Sequence, residues 1–295
     1  MDPQELLLPV EDGVLAVLDH GGNGPAVFII PGPAYTAAAA NAIAAQLSDR
    51  AHVYAVDPPG NGHSSLIPRN ALHAADSIAT ALAALALDRP ILVGIETSGF
   101  TAAVIAVKRP DLVGGVVLAS GLCLRDWEIN AVGLEFATSD EFLREMQSRF
   151  LLGVTGQGES ARREMIARLG QRLAQDWATA DTCAIASADM ERGLTYVEDD
   201  TWVVTPTLES LRATLRLPPD TELRPEPALL KRITAPLFVV VAELGDDGDT
   251  FEDAAGIVAQ IAGATYVPLV DAVGVYDSQA GVFANVVVRS LKHRA

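Results

Sequence analysis

The segment VGIETSGF at residues 93–100 marks a sharp change of secondary structure. The apolar run PILVGI (90–95) leads into it, and an Ala- and Val-rich helical pattern, SGFTAAVIAVKRP (98–110), follows. A buried strand that passes into a helix through a tight turn exposes one side chain at the apex of that turn. The apex residue is Glu96, so the turn is expected to present a carboxylate above the sheet.

The alternation of strand and helix continues in both directions from this turn. Strand patterns such as AVFII (26–30) and HVYAVD (52–57) alternate with helical patterns such as ALHAADSIATALAALAL (71–87), and the alternation resumes with PLFVVVAE (236–243). This succession predicts an α/β fold with a mostly parallel, doubly wound sheet. An Asp-Gly turn between two apolar runs in LLLPVEDGVLAVLDH (6–20) predicts an N-terminal hairpin.

The pattern changes in residues 123–231. DEFLREMQSRFLL (140–152) and ARREMIARLGQRLAQDW (161–177) repeat apolar residues at helical spacing. We therefore predict a helical insertion within a core domain made of 1–122 and 232–295. Aromatic residues are concentrated in the insertion and are expected to form its core: Trp127, Phe136, Phe142, Phe150, Trp177, Tyr196 and Trp202.

The charge of the chain restricts its partners. The formal net charge is -17 at pH 7 and the isoelectric point is near 4.6. A field of this sign repels polyphosphates and anionic lipids, so nucleic acid and membrane are not expected partners. A neutral or cationic small molecule is the expected ligand, and the sequence leaves the oligomeric state open.

The sequence indicates neither a metal nor an organic cofactor, and it predicts a cytoplasmic location. Cys123 and Cys183 lie outside any CxxC or Cys/His cluster, and no dinucleotide-binding glycine pattern occurs. No apolar run approaches the roughly 18 to 20 residues of a membrane span. The N-terminal stretch is acidic where a secretory signal is basic.

Four regions in chain order resemble the α/β-hydrolase family. PGPAY (31–35) lies where the family has His-Gly after a strand, and DPPGNGHSS (57–65) matches its Asp-x-x-Gly-x-Gly-x-Ser turn. VGIETSGF lies at the nucleophile elbow, usually Gly-x-Ser-x-Gly. The late loops AELGDDGD (242–249) and DAVGVYD (271–277) lie where the family has its triad acid and histidine. The resemblance implies an α/β-hydrolase fold in which the helical insertion is the cap.

The resemblance also shows where the triad is degenerate. Glu96 takes the place of the serine nucleophile, and Val275 takes the place of the histidine that acts as general base. Ser98 follows the apex by two residues and is expected to point into the packing between helix and sheet. His63 is the histidine nearest to the site in the family pattern, and we expect it to be an ordinary turn histidine.

The oxyanion hole implied by the family is incomplete. Its donors are the backbone N–H of Thr97 and an N–H at or beside Pro33, and proline has no N–H. An alignment shifted by one residue would give Ala34 that role. Losing one such donor typically costs about 10²- to 10³-fold in rate.

The resemblance also assigns an acid and a pocket. Asp246, or its neighbour Asp247, occupies the position of the triad carboxylate. Asp277 follows the vacated histidine position, and the pocket is expected to include Tyr35, Tyr276 and Asp277. A solvated loop charge is the simpler interpretation of Asp247 and Asp277.

Two functions of different classes fit these residues. In the first, Glu96 is a general acid or base in a dry pocket beneath the cap and serves an isomerisation, elimination or cyclisation of a small, largely apolar molecule. In the second, the pocket binds a ligand without turnover, and the protein is a pseudoenzyme. The first is favoured because burying a carboxylate without a use is costly. Hydrolysis by a rearranged site is a minor third alternative.

Overall fold

The computed structural model describes residues 2–176, 180–244, 250–272, 274–276 and 279–294, with the backbone alone for 172–176 and 180–186. Its strands are β1 (Gln4–Val10), β2 (Gly13–Gly22), β3 (Ala26–Ile30), β4 (His52–Val56), β5 (Ile91–Ile95), β6 (Gly115–Ala119), β7 (Thr155–Gln157), β8 (Leu194–Glu198), β9 (Thr201–Val204), β10 (Leu237–Ala242) and β11 (Ala264–Leu269). Its α-helices are α1 (Asn41–Leu47), α2 (Ala71–Ala84), α3 (Ser98–Lys108), α4 (Trp127–Ala137), α5 (Asp140–Phe150), α6 (Glu159–Asp176), α7 (Ala180–Gly193), α8 (Leu208–Leu215), α9 (Pro227–Leu230), α10 (Phe251–Val258) and α11 (Ala280–Leu291).

Within these residues an eight-stranded sheet has the order β1-β2-β4-β3-β5-β6-β10-β11. β2 pairs antiparallel with both β1 and β4, and every other neighbouring pair is parallel. The predicted doubly wound sheet of an α/β-hydrolase fold is confirmed. The predicted hairpin is β1 and β2, whose turn contains Asp12 in the left-handed conformation with a φ of 67°.

Both faces of the sheet are covered because its central strands are apolar on both sides. On β3, Phe28 and Ile30 pack in one core with residues of α2, α3 and α10. Val27 and Ile29 pack in the opposite core with residues of α1 and α11. Successive side chains of a strand point to opposite faces, so the continuous apolar run contributes to both cores.

The chain between β6 and β10 contains α4 to α9 and a second sheet, which the sequence did not predict. β9 pairs antiparallel with β7 and with β8 in this three-stranded sheet. Trp202 is buried beside Leu143 and Leu211 in a separate apolar cluster. Phe136 and Tyr196 are exposed, so the expectation that they belong to the core of the insertion is wrong.

The parallel strands end at one edge of the sheet, which positions the site. The loop after β3, the turn after β5 and the loop after β11 all leave from this edge. In open α/β sheets the crevice at the carboxyl ends of the strands is where ligands bind. Among the described residues, no helix is both long enough and apolar enough to cross a membrane.

Candidate active site

The turn after β5 holds Glu96 in a backbone conformation that glycine adopts far more readily. Glu96 has a φ of 53°, and such a conformation costs a non-glycine residue about 1 to 3 kcal/mol. Its N–H donates to the carbonyl of Ala119, and its carbonyl accepts from the N–H of Gly99, each at 2.9 Å. These bonds fix the point at which the carboxylate leaves the chain.

Small residues allow α3 to begin directly behind this turn. A Cβ added at Gly94 would lie 2.8 Å from both the Cβ of Ala102 and the Cα of Gly99. A Cβ added at Gly99 would lie 2.8 Å from the Cβ of Ser120. Larger residues at either glycine would push the helix away from β5 and β6 and distort the turn.

The hydroxyl of Ser98 is used in packing. Its Oγ donates to the carbonyl of Pro31 at 2.6 Å, and the residue is buried. As expected, Ser98 points into the helix–sheet packing and lies away from the apex of the turn.

The loop at 31–36 packs against the Glu96 side chain. A Cβ added at Gly32 would lie 2.9 Å from the Cδ of Glu96 and closer still to Oε2, so the carboxylate lies against the Cα of Gly32. The Gly32 N–H donates to the Tyr276 hydroxyl at 2.8 Å. The rings of Tyr35 and Tyr276 have centroids 4.9 Å apart. The structure thus brings Glu96, Tyr35 and Tyr276 together.

The phenol of Tyr276 stays protonated beside this carboxylate. Burial raises the pKa of Tyr276 well above its ordinary value, and the negative charge of Glu96 raises it further, against the opposing effect of the Gly32 N–H. Because its oxygen already accepts from Gly32, the hydroxyl hydrogen points elsewhere and can be donated to a neighbouring acceptor.

Glu96 itself is exposed, so the expectation of a dry pocket is wrong for this structure. In the described part of the insertion, α7 contacts the 3-10 turn Ala37–Ala40, and α8 contacts α2. With the insertion docked in this way, the Glu96 side chain remains exposed.

An apolar cleft runs beside the Glu96 turn. It lies between the N-terminal end of α3 and the insertion helices α4 and α8, and Thr97, Leu122, Leu134 and Leu215 are among the residues that line it. The lining is largely apolar, but the cleft has a volume of only about 20 Å³, far below the roughly 300 Å³ of the smallest typical ligand pockets.

Two backbone amides at the site have no acceptor among the described residues. These are the N–H groups of Thr97, at the start of α3, and of Ala34, in the loop after β3. Pro33 has no N–H, and its carbonyl accepts from the side chain of Asn61 at 2.8 Å. The Thr97 and Ala34 amides are therefore available to a ligand oxygen.

Several site residues proposed from the sequence lie apart from this cluster or fall outside the described residues. Asp246, Asp247 and Asp277 lie outside the described residues. Val275 is buried among the apolar side chains that pack against β10 and α11. The structure therefore assigns no position to the acid of the proposed triad.

None of the five histidines forms a hydrogen bond or ion pair with Glu96. His63 is exposed, and its Nδ1 lies 2.6 Å from Oε1 of Glu5 on β1, so it is an ordinary turn histidine as expected. Within the described part of the chain, no group of three or more His, Cys, Asp or Glu side chains is placed to hold a metal ion.

The structure adds a carboxyl group that the sequence did not single out. Oδ1 of Asp189, on α7, accepts from both the backbone N–H and the hydroxyl of Thr36, each at 2.7 Å. Burial raises the pKa of Asp189 to about 7, although the Thr36 hydrogen bonds act in the opposite direction. No local motif surrounds Asp189, so nothing in the sequence pointed to it.

A buried ion pair attaches α7 to the core close to this carboxyl. Nε and Nη2 of Arg192 contact Oδ1 and Oδ2 of Asp57 at 2.8 and 2.7 Å, and Nη2 also contacts Glu5 at 2.8 Å. Asp57 is fully buried and also accepts from the N–H groups of Ala37 and His63. Asp57 is the first residue of the DPPGNGHSS turn, so this motif positions the insertion.

Comparison with known proteins agrees with this geometry. Residues 18–175, more than half of the chain, match the family model described as alpha/beta hydrolase fold. A 112-residue stretch is 32% identical to Esterase Rv0045c of Mycobacterium tuberculosis, and the match covers 37% of this chain and 37% of that protein. The chain therefore spans little more than a third of the length of that curated relative.

Solved structures resemble nearly the whole chain. An E-2-(acetamidomethylene)succinate hydrolase superposes with a TM-score of 0.74 at 18% identity, over 98% of this chain and 99% of that one. The thioesterase domain from the curacin biosynthetic pathway superposes with a TM-score of 0.72 at 17% identity, over 98% and 100%. At such identities the likeness is one of fold.

Proposed function

This chain belongs to the alpha/beta hydrolase fold family, and from that premise we propose that it is a non-hydrolytic, cofactor-independent enzyme in which Glu96 is the general acid or base. The proposed reaction is an isomerisation, elimination or cyclisation of a small, uncharged or cationic and largely apolar molecule. The observation that carries the proposal is the left-handed backbone of Glu96, with a φ of 53°. A turn strained in this way is retained where the side chain it presents is used.

Each neighbour of Glu96 has a role in this proposal. The carboxylate removes a proton from a substrate carbon and returns it at another atom. The Tyr276 hydroxyl and the free amides of Thr97 and Ala34 donate hydrogen bonds to the oxygen on which charge develops. The narrow cleft beside Thr97 and Leu134 would have to widen to receive the apolar part of the substrate.

The proposed loss of the triad explains why hydrolysis is not our first choice. Acyl transfer by this fold needs an attacking hydroxyl and an imidazole to deprotonate it. We propose that Glu96 and Val275 occupy those two positions, and no histidine forms a hydrogen bond or ion pair with Glu96. An alkyl ester formed on the Glu96 carboxylate would also need an activated water for its release.

Binding without turnover is the second candidate. The observation that favours it is the Gly32 N–H, which donates to Tyr276 and is thereby withdrawn from any ligand. Pro33, next in the chain, has no N–H, so this loop keeps the Ala34 N–H as its available donor. In this reading Glu96 binds a hydroxyl or amine of the ligand.

We also propose the division of the chain into a core of 1–122 with 232–295 and a cap of 123–231. The Asp57 and Arg192 ion pair supports it, because this pair joins the two parts by a specific buried contact. The cap then controls which molecules reach the cleft.

The experiment uses carbon acids that report proton transfer directly. The protein is incubated in deuterated water with a panel of uncharged ketones, lactones and β,γ-unsaturated cyclohexenones, and deuterium uptake is followed by NMR. Glu96→Gln keeps the shape of the side chain and removes its titration, so it should abolish exchange and leave binding nearly unchanged. Glu135→Gln, at an exposed position of α4, is the matched control.

The outcomes separate the candidate functions. Exchange that persists in Glu96→Gln would rule out the role of Glu96. Saturable binding without exchange at any protein concentration would favour the binding module. Hydrolysis of p-nitrophenyl acetate together with labelling of a serine by a fluorophosphonate would establish a hydrolase, as the names of several structural relatives suggest for those proteins.

A further inference from the structure

The loop after β3 contains a tight turn closed by a backbone hydrogen bond. The Tyr35 N–H donates to the carbonyl of Gly32 at 2.9 Å, so Pro33 and Ala34 are the two central residues of a β-turn. Ala34 does not have a positive φ. The turn is therefore of type I, because a type II turn needs a positive φ at its second central residue.

Types I and II differ in the orientation of the central peptide group, which here joins Pro33 to Ala34. In a type II turn this group is turned over by roughly 180°. The Pro33–Ala34 peptide is trans, so its carbonyl and its N–H point in opposite directions. A flip would put the carbonyl oxygen of Pro33 where the available Ala34 N–H now stands, and a donor of the site would become an acceptor.

The side chain of Asn61 holds this peptide group in the type I orientation. Its Nδ2 donates to the carbonyl of Pro33 at 2.8 Å, and Asn61 is buried, with an exposed fraction of 1%. The amide nitrogen must be the atom that faces Pro33, because a carbonyl oxygen can only accept. The Ala34 N–H thus points away from Asn61.

Asn61 acts from a backbone that is itself fixed. Its N–H donates to the carbonyl of Pro58, and its carbonyl accepts from the N–H of Ser64, each at 2.9 Å. The same DPPGNGHSS turn also holds the loop further along, because Oδ1 of Asp57 accepts from the N–H of Ala37 at 2.7 Å. The turn therefore fixes the loop after β3 at two points.

The amide of Asn61 is kept although one of its atoms is unsatisfied. Oδ1 is buried and has no hydrogen-bond partner within the described part of the chain. An unsatisfied buried oxygen lowers stability, and an apolar side chain of similar size would avoid that loss. What the amide adds at this position is the donor to Pro33.

We propose that Asn61 is a positioning residue, which locks the Pro33–Ala34 peptide so that the Ala34 N–H stays available to the substrate oxygen. This inference rests on the proposed function and extends it by naming the residue that makes the loop a donor. Gly32 carries the Glu96 carboxylate against its Cα, so the locked peptide directly follows the residue that touches the proposed base. A carbonyl in place of the N–H would repel an oxygen on which negative charge develops.

The first arm of the test observes the peptide group without a substrate. In protein with ¹³C-carbonyl proline and ¹⁵N alanine, a spectrum that selects directly bonded labels shows the three Pro-Ala pairs of the chain, and Ala34→Gly identifies the pair at 33–34. The nuclear Overhauser effect between the Pro33 Hα and the Ala34 amide proton is weak in a type I turn and strong in a type II turn. We expect it to be weak in the wild type and strong in Asn61→Leu. A strong effect in the wild type, or an equally weak one in Asn61→Leu, would overturn the inference.

The second arm measures carbon-acid exchange. Asn61→Leu should lower kcat by up to about 100-fold, the lower end of the cost of losing one oxyanion donor, and change KM little. Its unfolding midpoint in urea should stay close to that of the wild type, because the leucine also removes the unsatisfied Oδ1. A variant that loses stability but keeps its kcat would show that Asn61 is merely structural.

Asn41→Leu is the matched control for this substitution. Oδ1 of Asn41, at the start of α1, is likewise buried without a partner among the described residues. This variant should keep both the weak Overhauser effect and the wild-type kcat. An equal fall of kcat in the two leucine variants would contradict the specific role of Asn61.

The third arm tests the flip itself and separates it from the function on which it rests. Glycine adopts a positive φ readily, so Ala34→Gly keeps the N–H and makes the flip easier. Asn61→Leu combined with Ala34→Gly should lower kcat by more than the product of the two single effects, and a purely multiplicative loss would refute the lock. Exchange that is absent from the wild type or persists in Glu96→Gln would count against the proposed function, and the Overhauser effect in Asn61→Leu would still decide the role of Asn61.

Discussion

The carboxylate of Glu96 lies directly against the Cα of Gly32, and the two residues fit only because position 32 has no side chain. A Cβ at Gly32 would lie 2.9 Å from the Cδ of Glu96 and 3.2 Å from Cδ2 of Tyr35. The loop after β3 therefore contributes its backbone to this contact, and the turn after β5 contributes the carboxylate. This contact determines where the carboxylate can stand.

Gly32→Ala should impair the site far more than the fold. The added methyl group meets the mobile end of Glu96, so the cost in stability is expected to be about 1 kcal/mol, at the lower end for overpacking. Displacing a catalytic group by about 1 Å can cost about 100-fold in rate. Urea unfolding and the carbon-acid exchange assay measure the two effects.

Gly133→Ala is the matched control for that substitution. Gly133 lies within α4, and no atom lies within 4 Å of a Cβ added there. The change should stabilise the protein by about 0.5 to 1 kcal/mol and leave exchange unchanged. Equal exchange rates in the two alanine variants would show that the contact between Gly32 and Glu96 does not matter.

Arg192→Met should destabilise the protein because it leaves Asp57 buried without its cation. Asp57 is fully buried, and two of its four hydrogen bonds come from Arg192. Breaking a buried ion pair from one side typically costs about 3 to 5 kcal/mol. Urea unfolding measures the loss, and the double variant with Asp57→Asn should lose less than the two single variants together.

An exposed arginine provides the comparison. Arg109 pairs with Asp111 at 2.7 Å on the surface, where solvent screens the interaction. Arg109→Met should leave the unfolding midpoint unchanged within error. A loss as large as that of Arg192→Met would mean that the arginine side chain, and not burial of the Asp57 charge, determines the effect.

Acidification should weaken the fold through His20. Burial lowers the pKa of His20 from 6.5 to about 4, and its Nε2 is buried without a partner. Between these values the unfolded chain binds a proton that the folded protein does not, so stability falls as the pH drops from about 6.5 to about 4. At 1.36 kcal/mol per pKa unit, the full contribution is about 3 kcal/mol.

The measurement is the free energy of unfolding at several pH values for the wild type and His20→Gln. The glutamine cannot take up the proton, so the difference between the two curves should change between pH 4 and 6.5 and be constant above pH 7.5. A difference that is the same at every pH would show that His20 titrates normally in the folded protein.

The fold was predictable because the apolar pattern of each core segment matches the burial of that segment in the structure. The run AVFII was predicted as a strand, and β3 spans the same residues, Ala26–Ile30. The turn at Glu96 was also predictable from the sequence, because the strand pattern ends just before this residue and the helical pattern begins just after it. The left-handed φ of 53° at this residue was not predicted from the pattern.

Contacts between distant segments were not predictable in this way. Asp189 and Thr36 are 153 residues apart, and their contact depends on how α7 docks on the core. The β8–β9 hairpin had a local signal, because TYVEDDTWVV (195–204) places two apolar runs around a turn at Asp199, which has a φ of 35°. Helical periodicity on both sides of it led to an interpretation of the insertion as helical throughout.

Glu96→Ser should not create an esterase, which tests the proposed degeneracy of the triad. A serine at the apex is expected to have no imidazole partner, because none of the five histidines forms a hydrogen bond or ion pair with Glu96 and Val275 cannot move a proton. We expect neither fluorophosphonate labelling nor hydrolysis of p-nitrophenyl acetate above the wild-type rate. If Val275 holds the position of the family's general base, as we propose, adding Val275→His should give slow labelling at residue 96. Rapid labelling of the single variant would mean that another base already serves this turn, and the proposed assignment of Val275 would be wrong.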